Sequence, residues 1–257
     1  MIREISSGYV KSEFHNSVTT IEFFHPQSNS LPSKILDELS QEIHRAGNDD
    51  DTRLIILKSA GDKIFCAGAS FDELAAIQNF EQGLQFFSGF AHVINAMRIC
   101  PKFIIARVHG KCIGGGVGLI AAADYAIATE AAEIKLSELS FAIGPFVVGP
   151  AVERKIGVSA FTQLAIDAAS WRNAQWAGRK GLFAEVYAST EGMDESIAKL
   201  ADFLIHSSSQ AMAEMKKIFW KGTENWDHVL LERAAISGRL VLSSSAKTAI
   251  EKFKKKK

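Results

Sequence analysis

Apolar positions change their rhythm along the chain, and the changes mark its elements. Residues 9–14 and 18–24 alternate on either side of His15-Asn16-Ser17, which predicts two antiparallel strands joined by a tight turn. From Pro32 onward Ile35, Leu36, Leu39 and Ile43 recur at helical spacing, with Pro32 at a first helical position and Gly47 at the stop. Residues 54–57, 103–108 and 125–128 are short, mostly apolar runs bounded by polar residues or glycine, consistent with strands buried on both faces. Helical stretches at residues 71–77 and 80–97 separate them, so strand and helix alternate through the first two thirds of the chain. That is an α/β core. After a last strand at residues 185–187 the pattern turns helical, at 193–206, 210–220, 226–242 and 246–253, and no proline follows Pro150. The division expected is a core over residues 1–190 and a helical cap over 191–257.

Composition narrows the class of function. The 257 residues are 47% hydrophobic and 23% charged, as in globular proteins, and Lys+Arg and Asp+Glu both total 29. With no net field to recruit nucleic acid or an anionic membrane, the partner is sought in a pocket. Cys66, Cys100 and Cys112 follow no paired spacing for a zinc site or a disulfide framework, and read as reduced thiols of a cytoplasmic protein. The opening MIREISSGYVKSEF has no apolar signal core, and the longest greasy stretch, residues 113–128, is interrupted by glycines and Asp124, so no membrane span is expected. The closing KFKKKK reads as a frayed, solvated end.

Two loops of small residues carry the candidate chemistry. Phe65-Cys66-Ala67-Gly68-Ala69-Ser70 leads into the helix beginning near Phe71, and His109-Gly110-Lys111-Cys112-Ile113-Gly114-Gly115-Gly116 leads into a helix over residues 117–123. A strand, a loop without bulky side chains and a helix start present free N–H groups to an oxygen that gains negative charge. Either loop alone is equally well explained by packing. A rival reading takes Gly116-Val117-Gly118-Leu119-Ile120-Ala121 as a relaxed dinucleotide fingerprint with Glu138 as its ribose-binding acid. It leaves the first loop without a role.

Taken together, these residues resemble the crotonase (enoyl-CoA hydratase/isomerase) superfamily over nearly the whole chain. His25-Pro26-Gln27-Ser28-Asn29-Ser30-Leu31 looks like the family's P-x-x-x-N-A-L segment, residues 65–70 like its F-x-A-G-A-D loop, and Val108 to Gly116 like its V-x-G-x-x-x-G-G-G turn; Asp124 falls where the family has an aspartate before its next strand. The resemblance implies a crotonase-like spiral of ββα units with a C-terminal helical cap, assembled as a homotrimer or a dimer of trimers. It implies an acyl-CoA thioester as substrate, with coenzyme A as part of that substrate and no permanently bound cofactor or metal. Ala69 and Gly115 would donate two backbone N–H groups to the thioester oxygen, while Ser30, Ala67, Gly68, Ser70, Phe71, Asp72 and Gly114 would line the substrate. The last helix would reach the adenine end of a coenzyme A bound to a neighbour, through Phe253.

The same resemblance locates the proton chemistry. Hydratases of the family use one glutamate two residues after the glycine triplet and a second about twenty residues on; here those places hold Gly118 and Glu138. Adding water needs one group to hold and deprotonate the water and usually another for the α-carbon proton, whereas moving a double bond needs a single carboxylate. The stretch from Phe141 to Phe146 also resembles the single-glutamate Δ3,Δ2-enoyl-CoA isomerases. Isomerisation through Glu138 is therefore the expected activity. Hydration or another enolate reaction is its alternative, and a dinucleotide-dependent oxidoreductase and a catalytically silent acyl-CoA binder are the readings from other classes. Leu139, Phe141 and Phe146 would favour a neutral Glu138. Phe80, Phe86, Phe87 and Phe90 read as core or acyl-pocket lining, His109 as a loop-orienting residue, and Trp171, Trp176, Trp220 and Trp226 as packing.

Overall fold

The computed structural model describes residues 8–255. The opening stretch Met1–Ser7, read above for a signal core, and Lys256 and Lys257 of the basic tail lie outside the described residues. Chain order gives β1 (Tyr9–His15), β2 (Val18–Phe24), β3 (Ser30–Leu31), α1 (Ser33–Asn48), β4 (Leu54–Ser59), β5 (Ile64–Cys66), β6 (Gly68–Ala69), α2 (Phe71–Ala76), α3 (Phe80–Ile99), β7 (Phe103–Val108), β8 (Lys111–Ile113), α4 (Gly115–Ala122), β9 (Tyr125–Thr129) and β10 (Ile134–Lys135). A 3-10 turn, Glu138–Phe141, leads into α5 (Gly149–Ile166), α6 (Ala174–Arg179), β11 (Glu185–Tyr187), α7 (Thr190–Ile205), α8 (Ser209–Phe219), α9 (Trp226–Leu240) and α10 (Ser244–Lys254).

The main sheet runs β1-β2-β4-β7-β9-β11, with β1 antiparallel to β2 and every other pair parallel. Asn16 and Ser17 take positive φ at the hairpin turn, which such turns require. Alternate residues of the central strands face opposite sides. Ile55, Leu57, Ile104, Ala106 and Ala126 join one core beneath α1, α3, α4 and α5, while Leu54, Phe103, Ile105 and Ile127 join a second beneath α7 and α8. Both faces are covered, and the central strands are mostly apolar for that reason, with Lys58 and Arg107 near the ends of β4 and β7.

β5, β8 and β10 follow β4, β7 and β9 and form a second parallel sheet in the order β10-β8-β5; β3 and β6 pair separately. Strand, short strand and helix therefore repeat along the chain, the crotonase-like spiral of ββα units. Two local expectations shift by about one residue: Pro32 is the residue before α1 rather than its first, and Gly47 lies just inside the helix end, against Cys100, instead of ending it.

The helices after β11 pack on the core through specific polar contacts as well as apolar ones. Lys216 of α8, only 2% exposed, pairs with Asp124 at 2.8 Å and donates to the Lys102 carbonyl; Asp124 also accepts from the Ile104 N–H and the Trp220 indole. α9 crosses α3 closely enough that a Cβ on Gly83 would lie 2.9 Å from the Gly238 Cα. Trp220 and Trp226 pack edge to face within the main core, whereas Trp171 and Trp176 precede the cap. Among the described residues no helix is long and apolar enough to cross a membrane.

Candidate active site

Asn29 begins the construction of the site. Its side chain accepts from the His25 N–H and donates to the carbonyls of Ala60 and Ile64, and its own carbonyl accepts from the Ala67 N–H. The loop before β3 is thereby stitched to the segment that carries β5 and β6. Ser30 continues the seam, with Oγ donating to the Ala69 carbonyl at 3.0 Å, and the Ser70 N–H bonds the Leu31 carbonyl. Ser70 caps α2, its hydroxyl accepting from the Glu73 N–H. Residues 67–70 are thus held from both sides.

The second loop comes from the neighbouring strand. β5 and β8 are paired, so the turns that follow them emerge side by side, and a Cβ on Gly68 would lie 3.0 Å from the Ile113 carbonyl and 3.3 Å from the Gly115 nitrogen. Gly68 has φ +86° and Gly114 φ +51°, a region that costs residues with a Cβ. Gly115 is the first residue of α4, where a backbone N–H has no acceptor within its own helix. Glycine is required there for a second reason: a Cβ would fall 2.2 Å from the Phe90 ring.

Glu138 arrives in the 3-10 turn that follows the third strand of the small sheet. The Gly114 N–H bonds the Lys135 carbonyl at 2.9 Å, which draws the turn after β10 against the second loop, and Glu138 Oε1 would lie 2.9 Å from a Cβ on Gly114. Although the residue as a whole is half-buried, Oε2 is shielded from solvent and has no hydrogen-bond partner among the described residues. Burial pushes the carboxyl up from the usual 4.5 to about 7, with only its own backbone N–H pulling the other way. A buried carboxyl near neutrality can both take up and release a proton at physiological pH.

These groups face one cavity of about 1160 Å³. Ser30, Ala67, Gly68, Ala69, Phe71, Gly114, Gly115, Glu138 and Phe253 all line it. Ser70 and Asp72 do not. The Ser70 hydroxyl is turned to its capping role, and Asp72 accepts from the Gln27 side chain at the surface. Phe86, Phe87 and Phe90 form an aromatic wall, while Phe80 stands outside. The sequence reading missed Ser237, Ser244, Ser245 and Thr248, which α9 and α10 contribute to the lining alongside Lys252. α10 lines the cavity of its own chain, where Phe253 packs on Phe71 at 4.7 Å and on Phe141 at 5.4 Å. Ala246 and Ile250 anchor the helix in an apolar cluster with Ile143 and Val241.

Other candidates take different places. His109 makes no loop-orienting bond through its ring, whose two nitrogens are buried and unpartnered among the described residues; its carbonyl accepts from the Thr129 hydroxyl instead. Burial, then Arg107, hold its imidazole below the ordinary value. The glycines of the dinucleotide reading are spent on packing: a Cβ on Gly116 would meet the Cys66 carbonyl at 2.5 Å, and one on Gly118 would meet Val148 Cγ1 at 2.5 Å. All of α4 is buried. No groups of three or more metal-ligating side chains are clustered among the described residues.

The profile of a family described as enoyl-CoA hydratase/isomerase matches residues 13–256. A carnitinyl-CoA dehydratase from Proteus mirabilis is 30% identical over 203 residues, covering 79% of this chain and 77% of that protein. A peroxisomal Delta(3,5)-Delta(2,4)-dienoyl-CoA isomerase from Arabidopsis thaliana is 27% identical over 211 residues, 76% of this chain and 74% of its own length. The crystal structure of an enoyl-CoA hydratase from Bacillus halodurans superposes with a TM-score of 0.88 at 22% identity, covering 95% of this chain and 99% of that one.

Proposed function

Because this chain belongs to the enoyl-CoA hydratase/isomerase family, we propose that it moves the double bond of an enoyl-CoA thioester, with Glu138 as its proton carrier. Dehydratases and isomerases are both among its relatives, so the reaction is argued from the site. One observation carries it: among the described residues lining the cavity, Glu138 is the only carboxylate. Gly118, where a hydratase of the family would hold water, has no side chain and faces Val148.

In this reading the substrate is a 3-enoyl thioester whose carbonyl oxygen accepts from the backbone N–H groups of Ala69 and Gly115. The ionised Glu138 takes a proton from C2, and the electron pair moves onto the carbonyl oxygen as a dienolate. The two N–H groups stabilise that charge in a site that excludes water. The protonated carboxyl returns its proton to C4, the double bond settles between C2 and C3, and Glu138 is again ionised. One group serves both steps because it acts on one face of the substrate. The pantetheine arm runs past Ala67 to Ala69, with Lys252 and Phe253 at the nucleotide end. Supported by the exposed Phe203 of α7 and Ile218 and Phe219 of α8, the same proposal includes self-association as a trimer or a dimer of trimers, which light scattering measures.

The test is a product panel. Incubation with 3-enoyl-, 2-enoyl- and 3-hydroxyacyl-CoA, read by mass and NMR, should show 3-enoyl converted to 2-enoyl thioester far faster than water is added. Hydration faster than isomerisation sinks the reading.

A further inference from the structure

We infer that Val148 is a specificity-determining residue, an apolar wall that keeps water away from the β carbon and so holds the enzyme to isomerisation. The inference rests on the isomerase reading and adds a residue to it. Val148 stands at the start of α5 and faces the cavity, yet its side chain also presses on α4: a Cβ built on Gly118 would lie 2.5 Å from Val148 Cγ1, 2.9 Å from Val148 Cβ and 3.6 Å from Ile94 Cδ1. The contact with Val148 Cβ matters most. A γ-methyl can rotate, but a β carbon moves only with its backbone, and the Val148 backbone is held by the turn and helix around it, where the Gly149 N–H bonds the Pro145 carbonyl and the Val148 carbonyl accepts from the Val152 N–H. The space beside Gly118 is therefore filled from the Val148 side.

Its chemistry is equally closed to water. A buried water needs two to four polar partners. Here the facing side chains are those of Val148 and Ile94, and the Gly118 N–H is already bonded to the Gly114 carbonyl. A reacting β carbon opposite this wall meets methyl groups. The absence of a carboxylate at position 118 and the presence of valine at 148 then act as one device: restoring a side chain at 118 while Val148 remains drives it into the wall.

A thermal cycle and a product ratio test this on the full chain. Gly118→Ala should lower Tm by about 2–12 °C, the range expected for overpacking a closed core, and most of that loss should vanish when Gly118→Ala is compared with Val148→Ala as its parent. Gly118→Ala with no thermal cost, or with the same cost in both backgrounds, overturns the wall. In the chemical arm, Gly118→Glu in the Val148→Ala background should hydrate 2-enoyl-CoA at least tenfold faster than Gly118→Glu alone, since only the former has room for a base and its water. Equal hydration by both, with the thermal coupling intact, overturns the water-exclusion role while leaving the isomerase reading standing. A native enzyme that does not isomerise 3-enoyl-CoA, in spite of that coupling, removes the isomerase reading instead.

Discussion

The buried carboxyl of Glu138 should make both the rate and the stability of this enzyme depend on pH near neutrality, in opposite directions. With its value near 7, about one carboxyl in eleven is ionised at pH 6 and about ten in eleven at pH 8. If the ionised form takes the C2 proton, kcat/KM for isomerisation rises about tenfold over that interval. A carboxyl at the ordinary 4.5 would be almost fully ionised throughout and give a flat profile. Stability follows from linkage. The folded value lies above the unfolded one, so the native state binds the extra proton; the favourable contribution is complete below pH 4.5 and is lost as pH rises through 7. The loss amounts to about 3 kcal/mol, at roughly 1.36 kcal/mol per pH unit between the two values. Glu138→Gln removes the titration. Its stability relative to native enzyme, from urea unfolding at pH 5 and pH 8, should improve by about 2.5 kcal/mol at the higher pH, part of the loss having occurred by pH 5, while double-bond migration disappears. Comparing two pH values cancels any constant cost of the amide. A flat rate profile between pH 6 and 8, or a stability difference that does not change with pH, would refute the assignment of a raised, catalytic carboxyl.

Other perturbations probe the scaffold. Gly115→Ala sets a methyl against the Phe90 ring and should cost about 1–3 kcal/mol and most of the turnover; the Phe90→Ala background should recover stability in thermal melts, since the obstruction is the ring itself. Asp124→Ala leaves Lys216 buried without its counter-charge and should cost about 3–5 kcal/mol in urea titrations; a loss under 1 kcal/mol would mean that the pair adds little. Lys252→Ala should raise KM for coenzyme A thioesters at low ionic strength but hardly for pantetheine thioesters, and the difference should fade in high salt as screening removes it.

The main sheet was legible because its strands are long enough to show a pattern. Residues 103–108 are an apolar run broken only by Arg107, and the structure places β7 on those six residues. The small sheet and the β3–β6 pair were not legible, since strands of two or three residues have no periodicity to detect; their pairing is decided by neighbours distant in sequence. α5 escaped for a different reason. Pro150 near its start and Gly157 at φ +78° within it read as breakers, and the structure does bend there. At the site, residues 67–69 and 114–115 were recognisable because close backbone approach demands small residues in fixed order. Ser70 and Asp72 came from the family resemblance, and in the structure their side chains make a helix cap and a surface hydrogen bond. The α10 wall had no local signal, because serine and threonine on one side of an amphipathic helix look the same whether they face solvent or a cavity.

The seam between Gly68 and Gly115 divides labour within the molecule. Its two turns are joined through adjacent strands, while the intervening chain, α2 and α3, swings out to form the aromatic wall and returns. In the proposed reading, reactivity and selectivity therefore sit on separable pieces of polypeptide. Redrawing Phe86 or Phe87 would then retune which acyl group fits without moving the atoms that bear the charge, so the scaffold would change its diet while keeping its chemistry.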